Sequence, residues 1–191
     1  MTVDLNNESG LDADGSGLIR LATYALDQLR IHPQAELSIL LVDEPTMSAY
    51  HQKYLGEPGP TDVLSFPMDE LRPPSDDDEP PAGLLGDIVL CPSVTARQAA
   101  EHGRSAAAEA EYLLVHGLLH LLGYDHADPD EKAEMFSLKD KIIAGWATAR
   151  PDRASARASG GSGATPGPSG ELRPSSGGSG ATPGPSGELR P

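Results

Sequence analysis

Tyr112-Leu113-Leu114-Val115-His116-Gly117-Leu118-Leu119-His120-Leu121-Leu122-Gly123-Tyr124-Asp125-His126 is the stretch around which the rest of the chain has to be arranged. From Tyr112 to Leu122 it is apolar nearly all round at helical spacing, and such a helix must be covered on every side. Its two polar interruptions, His116 and His120, stand at i and i+4 and so share one face. Buried imidazoles need partners, because an unpaired buried polar group costs roughly 1–3 kcal/mol. One shared cation satisfies both. Gly123 can adopt the left-handed conformation that ends a helix and reverses the chain, which lets His126 fold back as a third ligand. Three neutral imidazoles and an open fourth position describe a catalytic zinc site, whereas a closed structural site would add a fourth ligand, usually a thiolate. Cys91 is the single cysteine in the chain. The expectation is one Zn2+ per chain on His116, His120 and His126, although nickel, copper or iron accept the same imidazoles.

The skeleton H-x-x-x-H-x-x-G-x-x-H has the metzincin protease spacing, but that motif carries a glutamate general base at its second position. Here the position is Gly117, which cannot accept a proton, so a peptidase becomes the alternative rather than the leading reading. Asp125, beside His126, is a candidate base or orienting carboxylate, and its simpler role is a turn residue. His32, His51 and His102 read as surface or helix-end residues. Ser65 has no histidine near it in sequence. Thr61 and Asp62 are candidates for the edge of an active cleft or for loop caps.

Working outward, Leu18, Leu21, Ala22, Ala25, Leu26 and Leu29 repeat with a helical period within Gly17 to Ile31. Leu37 to Val42 reads as a buried strand, and Glu44 to Leu55 as a helix that Asp43 can cap. Val63 to Phe66 and Gly86 to Cys91 read as strands separated by a proline-rich acidic loop, Asp69 to Pro81, long for a compact domain. Val94 to His102, Ala106 to Leu122 and Asp130 to Trp146 read as helices, with Met135, Leu138, Ile142 and Ile143 of the last facing inward. The fold class is α+β: strands, then helices, a small mixed β-sheet packed with helices and a central metal-binding helix. Cys91, before Pro92, reads as a small core residue.

Composition changes near Arg150. Ser159 to Pro174 reads SGGSGATPGPSGELRP and recurs at Ser176 to Pro191, a period of 17 that matches none of the common solenoid repeats. Gly, Ser and Pro dominate and no core can form. The domain is therefore assigned to residues 1–149 and a disordered tail to 150–191. The chain carries 29 acidic and 14 basic residues, net −15. Residues 1–150 hold 26 of the acidic and 10 of the basic side chains, a balance of −16. That charge repels polyphosphate, and no arginine-rich or aromatic stacking motif offsets it. No basic-plus-apolar signal precedes Asp4 and no apolar run reaches about 18 residues, so a soluble cytoplasmic protein with no membrane partner is expected; DNA is not an expected partner either. One cysteine excludes an intramolecular disulfide.

Three blocks carry a family resemblance. His116 to His126 has the form H-G-x-L-H-L-x-G-Y-D-H; Pro60-Thr61-Asp62-Val63-Leu64-Ser65-Phe66-Pro67 lies upstream, and Leu85-Gly86-Asp87-Ile88-Val89-Leu90-Cys91 between them. In this order they resemble the YbeY family of bacterial metallo-endoribonucleases, over roughly residues 1 to 147. The resemblance implies a single-strand-specific, zinc-dependent endoribonuclease that matures ribosomal RNA, notably the small-subunit 3′ end, and supports ribosome quality control. It implies His116, His120 and His126 as zinc ligands, with single-stranded rRNA and the small ribosomal subunit or its proteins as partners. One departure stands out. Many members carry Arg-Gly six residues before the threonine of the second block, where this chain has Leu55-Gly56. An arginine fork binds phosphate bidentately, and Lys53 nearby offers only a point charge. Weak affinity for free RNA follows, with a ribosomal partner supplying recruitment. A ribosome-assembly factor with a structural metal is the further alternative.

Overall fold

A computed structural model describes residues 1–69, 71–74 and 82–150. The acidic run Asp76 to Glu79 and the repeated tail lie outside the described residues.

The described chain forms strands β1 (Thr2–Asn7), β2 (Glu36–Leu41), β3 (Val63–Pro67) and β4 (Leu84–Leu90). Its helices are α1 (Gly15–Gln28), α2 (Glu44–Leu55), α3 (Pro92–Glu101), α4 (Ala106–Leu121) and α5 (Pro129–Ala149). The sheet order is β1-β2-β4-β3, with β1, β2 and β4 parallel and β3 antiparallel along the edge. This is the small mixed sheet of an α+β fold. Beyond shifts of up to three residues at the ends of α1, α3 and α5, two features differ from the sequence reading. Strand β1 is an addition: only Val3 and Leu5 alternate in it, too short a signal to stand out, and pairing with β2 is what makes it a strand. The strands also interleave with α1 and α2 rather than preceding the helices, because parallel neighbours need a crossover between them.

Period-two alternation sorts β2 and β4 into two cores. Leu37, Ile39, Leu41, Ile88 and Leu90 pack with α1, α4 and α5, while Leu40, Val42, Val89 and Cys91 pack toward Met47 of α2 and Val94 of α3. Cys91 is fully buried, as a core residue should be. Asp43 caps α2, accepting from Thr46 N at 3.0 Å. Helix α4 touches α1, α3, α5, β3 and β4, the central position its apolar circumference demands. Leu71 is also buried, which ties down the start of the segment read as a loop from Asp69.

Candidate metal centre

Helix α4 delivers His116 and His120 on one stripe, and its ending delivers His126. Gly123 N donates to His120 O at 3.0 Å and Tyr124 N to Leu119 O at 3.0 Å, with Gly123 at φ +81°. This paired-bond termination needs a left-handed residue, and glycine takes that conformation without a Cβ penalty. The chain turns there and returns His126 to the helix. The candidate ligand atoms of the three imidazoles all lie within 4.8 Å of one another. His116 and His120 are half-buried and His126 exposed, so the cluster opens to solvent on the third side.

The donors fit a metal. His116 Nε2 and His120 Nε2 face one another at 3.3 Å. A tetrahedral ion with bonds of about 2.0–2.1 Å to nitrogen sets two ligand atoms about 3.3–3.4 Å apart. His116 Nδ1 is buried with no hydrogen-bond partner among the described residues. Protonation is suppressed as well. Burial, then the neighbouring His120, Lys139 and His126, lower the His116 pKa from 6.5 to about 4 against a small opposing pull from Asp62. Burial and His126 lower that of His120 in the same sense. At neutral pH these imidazoles keep their lone pairs for a cation.

Contacts that no local pattern announces hold the cluster in place. Gly117 lies where α4 crosses the sheet: a Cβ there would come 2.9 Å from Ser65 Oγ, 3.2 Å from Ile88 Cγ2 and 3.3 Å from Val63 Cγ2. Ser65 Oγ donates to Gly117 O at 3.1 Å, pinning helix to edge strand. The second position of the histidine motif thus faces β3, and a longer side chain there would run into the sheet. Phe136 of α5 meets the His116 ring edge-on, with centroids 6.3 Å apart. Behind it Lys139, 1% exposed, places Nζ 3.8 Å from the centroids of both Tyr112 and Phe136. Burial lowers its pKa to about 8. A lysine inside an apolar helix period gives no sequence signal of such a position; only the facing aromatics reveal it.

The remaining candidates fall into place separately. Asp125 is exposed and accepts from His126 N at 2.7 Å, the turn contact, while its charge acts favourably on His120. Asp62 accepts from Val63 N at 2.8 Å and Thr61 Oγ1 at 3.1 Å, a cap at the start of β3 that also lies in the electrostatic field of His116. His51 bonds Gly59 O, and His102 pairs with Glu109; neither joins the cluster. Leu55 is 61% exposed, and Lys53 leans on Tyr54.

The sequence matches the family model described as Endoribonuclease YbeY over residues 6–147. The chain belongs to the endoribonuclease YbeY family. The Endoribonuclease YbeY of Cutibacterium acnes is 69% identical over 144 residues, covering 75% of this chain and 93% of that protein. That of Thermobifida fusca is 60% identical over 148 residues, covering 76% and 94%. A solution structure of a Thermotoga maritima protein superposes with TM-score 0.53 at 25% identity, covering 86% of this chain and all of the other. The YbeY match ends at residue 147, short of the repeated tail.

Proposed function

We infer that this chain cleaves single-stranded ribosomal RNA, at the small-subunit 3′ end, using a zinc ion held by His116, His120 and His126. Membership of the YbeY family makes it an endoribonuclease acting on RNA phosphodiesters. The observation that carries the metal is the convergence of three imidazoles within 4.8 Å, one of them open to solvent. When bound, such an ion acts as a Lewis acid on a phosphoryl oxygen and acidifies water to a pKa of about 7.

The protein's own residues do the rest. Burial keeps His116 and His120 unprotonated at neutral pH, so no proton competes for their lone pairs. Ser65 fixes the helix against β3 through Gly117 O, and the edge of Phe136 fixes the His116 ring plane. Asp125 sets the backbone at His126, and we assign it a positioning role. Gly117 supplies no base and faces the sheet, which argues against peptide hydrolysis. The catalytic unit is residues 1–149, with 150–191 as a tail outside it. At −16 over residues 1–150, the protein binds free RNA weakly, and a ribosomal partner, the small subunit or one of its proteins, improves delivery of RNA to the site. No described helix is long and apolar enough to cross a membrane.

Metal analysis of wild type and His120→Ala, run beside cleavage of a single-stranded RNA and of casein, tests this reading. The wild type should hold about one zinc and cut only RNA; the variant should lose both metal and cleavage. Full zinc occupancy in a triple alanine variant, or chelator-sensitive casein hydrolysis, would overturn it.

A further inference from the structure

We propose that Arg72 supplies a guanidinium contact to an RNA phosphate beside the three histidines, standing in from another element for the arginine that position 55 lacks. The inference rests on the RNA-cleaving reading above.

Arg72 lies just beyond β3, held there because Leu71 is buried in the main core and Leu71 N donates to Asp69 O at 2.8 Å. That anchoring brings Arg72 against the turn between the second and third histidines. The position of a Cβ on Gly123 would be 3.7 Å from Arg72 Nε and 4.0 Å from its Nη2. Gly123 sits three residues from His120 and three from His126, whose ring centroids are 5.1 Å apart. A guanidinium against this turn lies beside the segment that joins the second and third histidines, and its side chain is exposed.

Several of the other cations have partners among the described residues. Arg97, Arg104 and Arg150 pair with Glu44, Glu109 and Glu111. Lys139 is buried, and Lys53 hydrogen-bonds Tyr54. Lys132 stacks over Phe136 with Glu131 and Asp130 beside it in the first turn of α5. Among the described residues no carboxylate pairs with Arg72. An exposed planar fork with no carboxylate partner among the described residues, set against the turn that joins two candidate metal ligands, is suited to recognising a phosphodiester. In a domain of this negative charge, one such group near the reacting phosphate weighs more than it would on a basic surface.

A purely structural role is the competing account, since a cation near a helix C-terminus also offsets the helix dipole. Salt dependence separates the two. Each phosphate contact to a single strand contributes about −0.7 to the slope of log affinity against log salt. The experiment measures kcat and KM of the zinc-loaded full chain on a fluorogenic single-stranded RNA from 25 to 200 mM salt, for wild type, Arg72→Met and Arg72→Lys. Arg72→Met should raise KM about fivefold with kcat within about twofold, keep its zinc, and flatten the salt slope of kcat/KM by about 0.7. Arg72→Lys should retain the wild-type slope, because it keeps the charge, while losing part of the affinity. Coincident slopes for wild type and Arg72→Met would overturn the assignment while leaving histidine-dependent RNA cleavage standing. A flattened slope in Arg72→Lys would also overturn it, since charge would then not be what the site reads. If the wild type left RNA intact, the functional reading would fall and this inference with it.

Discussion

Replacing Gly117 by alanine probes the contact on which the geometry of the site depends. In an exposed helix interior the change would stabilise by about 0.8–1.0 kcal/mol, because alanine restricts the unfolded backbone. Here the added methyl would enter a space bounded at 2.9 Å by Ser65 Oγ and at 3.2 and 3.3 Å by Ile88 and Val63. Overpacking of this kind costs about 1–3 kcal/mol. The balance is a net loss of about 1 kcal/mol, or a fall of about 2–4 °C in melting temperature for a domain of this size. Since His116 is the preceding residue, displacement of α4 from β3 should also weaken zinc binding by about tenfold, the lower end of what disturbed supporting contacts cost. Thermal melts of the metal-free protein and zinc competition titrations provide both readouts. Ser65→Ala removes the nearest clashing atom along with the 3.1 Å hydrogen bond to Gly117 O, so the double variant should be less destabilised than the sum of the singles. An alanine variant that melts above the wild type, or strict additivity with Ser65→Ala, would refute the crossing-point argument.

Acid should destabilise the metal-free protein through His116. Its folded-state pKa of about 4 lies below the usual 6.5, so between these values the unfolded chain binds a proton that the folded chain refuses. Stability is therefore full above about pH 6.5 and falls as pH drops toward 4. Melting of EDTA-treated protein across this range checks it, and an equally steep profile in His116→Gln would show that another group is responsible. Leu55→Arg should raise cleavage of naked RNA several-fold at low salt, with the gain shrinking as the Debye length contracts to about 8 Å at physiological salt. No gain in low-salt rate assays would mean that position 55 does not face the RNA. Deleting residues 151–191 should leave zinc content and cleavage of both naked and ribosome-bound RNA within about twofold, because the tail carries a net +1 and no packing face. A large loss in that comparison would assign the tail a role.

Much of this protein was legible because much of it is local. The i, i+4 histidines, the glycine that ends α4 and the returning third histidine lie within eleven residues, and helical geometry with one left-handed turn brings them together. Helix α2 begins where its cap places it, since Asp43 and its partner Thr46 are three residues apart. What only the tertiary structure decided depends on residues far apart in sequence. Strand β1 exists because β2 offers it a parallel edge, and Gly117 is a crossing point because Ser65, fifty-two residues away, bonds its carbonyl. Lys139 is buried because Tyr112 and Phe136 close over it from two helices. Arg72 meets the Gly123 turn because Leu71 has a place in the core. Helix signals and ligand spacing are written within a few turns of chain, where backbone geometry fixes distances in advance. Packing, burial of charge and the approach of a lone arginine to a site are set by chain closure across the whole domain, and no local pattern encodes them.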